Sequence, residues 1–343
     1  MSTIKPISQH VIQASLCLAL GILALSMAQV ATFAQSCDDV FQNVRSEARS
    51  LWSNGELTKA VELLKKHENT FAAPEHQHTV LFYLSLLYLD LDKPAKSVGI
   101  LNKAFSQSFF FSFGKTYRKK LMSISIGVSA LARHSALRSV FSANRKAEFR
   151  VLLPKNYTSE TKYTLLYFFH GNNSNLQNLV TEFEDVTIKT DVIVVWAQSP
   201  YARSNFAFDW VDEELSFTAF KKIRTSIELS YQIDNSKIIA GGFSNGGRFA
   251  ISLAQKEKNL IKSFLAFSPS KPEKFDTLKL PSESKGAIIT GERDYLLNRQ
   301  IEMAYALQKN SFPIRLIVLP HQPHDFPENF GNLLNSSLDF VLK

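Results

Sequence analysis

Lys237-Ile238-Ile239-Ala240-Gly241-Gly242-Phe243-Ser244-Asn245-Gly246-Gly247-Arg248 decides the reading of this chain. A short apolar run leads into Gly-x-Ser-x-Gly and then into a segment with helical composition, Phe249 to Gln255. That order predicts a nucleophile elbow, in which a serine on a sharp strand-to-helix turn projects its hydroxyl from the end of a sheet. Gly242 and Gly246 would keep Cβ atoms out of the crowded turn while the serine takes an unfavourable backbone conformation. The five-residue pattern recurs by chance in Gly-rich strand–helix loops, so the assignment depends on what lies downstream.

Two strand candidates follow. Lys285 to Thr290 ends in Gly291-Glu292-Arg293-Asp294, and Ile314 to Pro320 ends in His321-Gln322-Pro323-His324-Asp325-Phe326-Pro327. A helical run from Arg299 to Lys309 separates them, as a right-handed crossover between parallel strands requires. Both loops then fall at the ligand-binding edge of the sheet. A serine hydroxyl needs a neutral imidazole to take its proton and a carboxylate to hold that imidazole. Ser244, Asp294 and His324 fill those roles in the chain order Ser, Asp, His. Glu292 and Asp325 rival Asp294, and His321 rivals His324. His170 reads as a turn-stabilising residue. Among Trp196, Tyr201, Phe206, Phe208 and Trp210, most read as core, with Trp210 the candidate for the substrate pocket. No metal is expected, because His321-x-x-His324 lacks a third ligand nearby.

Residues 145–343 resemble a compact α/β-hydrolase of the esterase type. Predicted esterases, dienelactone hydrolases, phospholipase/carboxylesterases and feruloyl or polyhydroxybutyrate esterases are the nearest likenesses. The pieces that carry the resemblance are Arg150-Val151-Leu152-Leu153-Pro154, the run Tyr163 to Phe169 with His170-Gly171-Asn172-Asn173, Tyr231-Gln232-Ile233-Asp234, the elbow itself, and His324-Asp325-Phe326-Pro327. The resemblance implies Ser244 as nucleophile, Asp294 as acid and His324 as base, with backbone N–H groups of Asn245 and Asn172 forming an oxyanion hole. Asn172-Asn173 stands where the family often has Gly-Gly, so Gly171 and Asn173 remain alternative donors. The implied activity is hydrolysis of a small-molecule or polymer-linked carboxylic ester through an acyl-enzyme, with no cofactor. A serine peptidase would use the same triad. A non-catalytic protein binding through its helical region is the other alternative.

The first 36 residues carry one Lys or Arg, Lys5. Ala14 to Leu25 is an apolar run of signal-peptide length, too short for a comfortable membrane span. Residues 1–34 are therefore expected to be a signal peptide, with Ser26-Met27-Ala28 and Thr32-Phe33-Ala34 as cleavage candidates and a secreted or periplasmic location. A retained segment would instead anchor the protein. The cysteines are Cys17 and Cys37, so a cleaved chain keeps one thiol and no intramolecular disulfide.

Residues 38–142 read as a separate all-α region. Leu51 to Leu64 can be laid over Tyr88 to Leu101 at an offset of 37 residues, near the tetratricopeptide period. Pro94 falls where a second helix would begin. The region is either a partner-binding groove or a small helical cap on the catalytic domain. Phe109-Phe110-Phe111 reads as an inter-domain contact or a membrane-facing loop. At 45% hydrophobic and 20% charged, the 343 residues have a globular composition. The net charge of +8 is scattered, with no accompanying nucleic-acid motif. The expected fold class is thus α/β, an α/β-hydrolase with a mostly parallel sheet flanked by helices, preceded by a small helical-repeat region.

Overall fold

The computed structural model describes residues 27–343 except 144, 146, 147, 189, 190 and 282. Of the expected signal segment, residues 1–26 lie outside the described residues. No helix among the described residues is long and apolar enough to cross a membrane. The chain divides into two compact units, Met1–Val140 and Phe141–Lys343.

The first unit is all helix: α1 (Met27–Ser53), α2 (Leu57–Lys66), α3 (Pro74–Asp90), α4 (Pro94–Ser106), α5 (Lys115–Met122) and α6 (Ser125–Ala143). Pro74 and Pro94 open α3 and α4, where a missing N–H costs nothing. The turn between α1 and α2 closes with Glu56 N–H donating to Leu51 O (2.8 Å) and Gly55 N–H to Trp52 O (3.0 Å). The turn between α3 and α4 repeats this with Lys93 N–H to Tyr88 O (2.7 Å) and Asp92 N–H to Leu89 O (3.2 Å). Both are paired-bond helix stops, with Gly55 at φ 78° and Asp92 at φ 54° supplying the left-handed residue. They recur at the offset the sequence shows. Asp90 ties α3 to α1 and α5 by accepting from Trp52 Nε1 at 2.9 Å and from Tyr117 Oη at 3.0 Å.

Phe109, Phe110 and Phe111 do not form a surface loop. All three are buried, against His78, Phe82 and His134 of the same unit. Burying large aromatic side chains stabilises this small unit more than exposing them could.

The second unit is a three-layer α/β domain. Its elements are β1 (Glu148–Leu152), β2 (Tyr163–Phe169), α7 (Leu176–Thr181), β3 (Val192–Gln198), α8 (Glu213–Ser230), β4 (Ile233–Phe243), α9 (Asn245–Lys256), β5 (Ser263–Phe267), β6 (Lys285–Gly291), α10 (Leu297–Lys309), β7 (Ile314–Leu319) and α11 (Phe330–Leu342). The sheet order is β1-β3-β2-β4-β5-β6-β7. Only β1 runs antiparallel, and its alternating exposure suits an edge strand. β2 and β3 are buried at every position, as central parallel strands covered on both faces must be. Leu165, Tyr167 and Phe169 face a core layer with α8, α9 and α10. Leu166 and Phe168 face the other, with α7 and α11. The strand order reverses between β2 and β4, and a crevice at such a switch point is where open α/β sheets bind ligands.

Candidate active site

Ser244 sits between β4 and α9 at φ 53°, ψ −116°, a conformation costing on the order of 1–3 kcal/mol. The surroundings hold it there. Its N–H donates to Phe267 O at 2.8 Å, and its carbonyl accepts from Arg248 N–H at 3.0 Å and Ser270 N–H at 3.3 Å. A Cβ on Gly246 would meet Phe169 O at 2.1 Å, and one on Gly242 would meet Gly246 C at 2.5 Å. Only glycine lets the first turn of α9 lie this close to β2.

The Ser244 hydroxyl lies 3.0 Å from His324 Nε2, and His324 Nδ1 lies 2.9 Å from Asp294 Oδ2. Asp294 therefore takes Nδ1–H, leaving Nε2 unprotonated and facing the hydroxyl. The carboxylate is buried, which by itself raises its pKa. Hydrogen bonds from Leu296 N–H, His324, Ser268 and Gln300 outweigh that and hold it below the ordinary carboxylate range. Leu296 N–H bonds Oδ1 at 2.8 Å; Thr290 Oγ1 and Gln300 Nε2 each reach Oδ2 at 3.3 Å. Glu292 is not in this group. It pairs with His321, whose Nδ1 lies 3.3 Å away, and both are exposed. Asp325 is exposed and bonds the N–H of Phe326.

His170 is fully buried beside the elbow. Its Nε2 accepts from Ser199 N–H at 3.1 Å, so Nδ1 carries the proton and donates to Gly171 O at 2.6 Å. Burial lowers its pKa to about 4 against the opposing pull of Gly171 O, so it stays a neutral strut near neutral pH. Because a trans peptide points C=O and N–H opposite ways, pinning Gly171 O turns the Asn172 N–H away from His170. Asn245, first residue of α9, has its N–H at an uncapped helix N-terminus, where the helix dipole favours negative charge.

Trp210, expected at the pocket, is instead core. It is fully buried, stacks on Phe249 at 4.7 Å and meets Phe169 edge-on. Trp196 and Phe208 are buried as well. The sequence reading missed the supports of the carboxylate, Thr290, Ser268 and Gln300. It also missed Asp209, a fully buried carboxylate beside Asn245. The Gln300 side chain joins the site from the fourth residue of α10, and no local motif marks it.

Residues 141–274 match the family model described as putative esterase. No curated protein matches the chain. Similar solved structures include an uncharacterized protein from Bacillus cereus ATCC 10987, at 17% identity and TM-score 0.47, covering 87% of this chain and 97% of that one. A ferulic acid esterase is 19% identical with TM-score 0.46, over 58% of this chain and 93% of its own. An S-formylglutathione hydrolase from Staphylococcus aureus is 13% identical with TM-score 0.45, over 57% of this chain and 90% of its own. The family match covers the entry strand, the oxyanion turn and the elbow and ends before Asp294 and His324; it supports a carboxylic ester hydrolase built on the mixed α/β sheet.

Proposed function

We propose that this esterase works through a serine acyl-enzyme, with Ser244 as nucleophile, His324 as general base and Asp294 as its carboxylate partner. The observation that carries the reading is the unbroken chain from Ser244 Oγ through His324 to Asp294, at 3.0 and 2.9 Å. His324 Nε2 takes the hydroxyl proton as Oγ forms a bond to the ester carbonyl carbon. Asp294, held ionised by its donors, stabilises the imidazolium. N–H groups of Asn245 and Asn172 receive the negative oxygen of the tetrahedral intermediate. Its collapse breaks the ester C–O bond, and the imidazolium gives its proton to the departing alcohol. Water, deprotonated by the same imidazole, then attacks the acyl carbon and frees the acid and Ser244.

A fluorophosphonate probe tests this. Wild type should be labelled once and Ser244→Ala not at all. A chromogenic ester panel varying acyl length, with an aryl ester and a peptide amide as controls, gives the substrate class; cleavage of the amide alone would overturn the ester reading.

We further propose that the protein is exported, on the basis of the apolar run Ala14 to Leu25 behind Lys5. The helical unit is read as a tetratricopeptide-like partner-binding module, supported by the stop turn repeated 37 residues apart.

A further inference from the structure

Asn245 presents its backbone N–H to the site, but its side chain points elsewhere and is held at both ends. Its Nδ2 donates to Asp209 Oδ1 at 2.9 Å, and its Oδ1 accepts from Ser270 Oγ at 2.6 Å. The assignment of the amide is forced, since a carboxylate only accepts. Ser270 also gives its N–H to Ser244 O, so one residue holds the carbonyl of the Ser244–Asn245 peptide and the side chain that follows it. The other oxygen of Asp209 receives Arg203 Nε at 2.9 Å and Nη2 at 2.6 Å. Asp209 is fully buried, whereas the Arg203 side chain is 33% exposed.

Asp209 reaches the second donor too. Its carbonyl accepts from Ser199 Oγ, and Ser199 N–H donates to His170 Nε2, whose Nδ1–H fixes Gly171 O and with it the Asn172 amide. The loop between β3 and α8 is thus bonded to both sides of the site. Asp209 bonds Asn245 through its side chain and, through its backbone carbonyl and Ser199, the turn that carries Asn172.

We infer that Asp209 is a positioning residue that holds the Asn245 and Asn172 amides in one frame, so that both meet the oxygen of the tetrahedral intermediate. The inference rests on the serine-ester reading above. The physical reason is that an oxyanion donor works only at its proper distance and angle, and small displacements cost large factors in rate. A buried carboxylate paired with Arg203 is a strong acceptor and grips the Asn245 amide more tightly than a neutral group could.

The test is per-site kinetics on full-length protein, with active sites counted by burst titration. Asp209→Ala should lower kcat about ten- to a hundredfold and leave KM nearly unchanged, because the lost alignment matters only in the transition state. Arg203 then reaches solvent, so no charge is stranded. Asp209→Asn keeps a neutral acceptor for Asn245 Nδ2 and should recover part of the loss. The readout that a merely structural role would not move is the rate ratio between an ester and its thionoester. Sulfur is a poor acceptor for these amides, so a well-aligned pair discriminates strongly and Asp209→Ala should lose much of that discrimination. Asn245→Ala should show the same loss, and Asp209→Ala/Asn245→Ala should be no worse than either single variant, as for two parts of one contact. Should Asp209→Ala not fold, Asn245→Ala and Ser270→Ala carry the same measurements. An unchanged ester-to-thionoester ratio, or per-site kcat within about twofold of wild type, overturns the inference. Full turnover by Ser244→Ala would instead sink the ester mechanism itself, so the two failures are distinguishable.

Discussion

Glu292 and His321 are partners of each other: the Glu292 carboxylate accepts the His321 backbone N–H at 2.9 Å and lies 3.3 Å from its Nδ1. Each stands within three residues of a member of the Ser244 group, on the same two loops, and each would fit the chain order equally well. Their pairing at the exposed rim removes both from the site.

His324→Ala should therefore reduce turnover on the order of a thousandfold or more, and Asp294→Asn should lose most activity while keeping the fold, through the wrong imidazole tautomer. His321→Ala and Glu292→Gln should stay within a few-fold of wild type, since an exposed pair contributes little. Steady-state kinetics on one activated ester settles it, and a dead His321→Ala would reverse the assignment.

The two loops are also bound through backbone. Arg293 N–H donates to Gln322 O at 3.0 Å, and a Cβ on Gly291 would meet that same oxygen at 1.9 Å. Gly291→Ala should push the loop of Asp294 away from the loop of His324. A loss of at least about tenfold in kcat is expected, with a smaller effect on the phosphonate-reactive fraction. Wild-type kcat in a folded Gly291→Ala would show the two loops to be independent.

Tyr295, 77% exposed, lies with its ring 4.6 Å from that of His324. An exposed aromatic ring at the rim offers a face for an aryl group. Tyr295→Ala should raise KM for aryl-acyl esters several-fold relative to acetyl esters. Equal effects on both would place the acyl group elsewhere.

In the helical unit, His78 and His134 hold the two ends of one peptide. Phe110 O lies 3.2 Å from His78 Nε2, and Phe111 N–H donates to His134 Nδ1 at 2.9 Å. Burial lowers the His78 pKa to about 4, and burial, with Arg133 and His78 adding to it, lowers that of His134 to about 3. The unfolded chain takes these protons near the ordinary value of 6.5, before the folded one does. Stability is thus full above pH 6.5 and falls as pH drops toward 4, by about 2–3 kcal/mol per histidine. Melting curves from pH 7.5 to 4.5 should show the fall. His134→Gln, which still accepts from Phe111 but does not titrate, should remove about half of it and leave the His78 share; a slope unchanged in that variant would assign the acid sensitivity to other groups.

The sequence by itself determined the sheet, the elbow and the order of the catalytic candidates. The apolar run Tyr163–Phe169 fits a strand buried on both faces, and Gly-x-Ser-x-Gly between an apolar run and a helical segment fits a tight turn. These are local constraints of sterics and hydrophobic period, legible along the chain. The 37-residue offset in the helical unit was legible for the same reason. Tertiary structure alone decided which of two acids and two histidines meet Ser244, because residues 80 apart become neighbours only when strands β4 and β7 are placed in one sheet. It also decided that Trp210 packs on Phe249, that the three phenylalanines are core, and that Asp209 stands behind Asn245. Burial and partnership depend on what folds back from elsewhere, and no spacing along the chain encodes that.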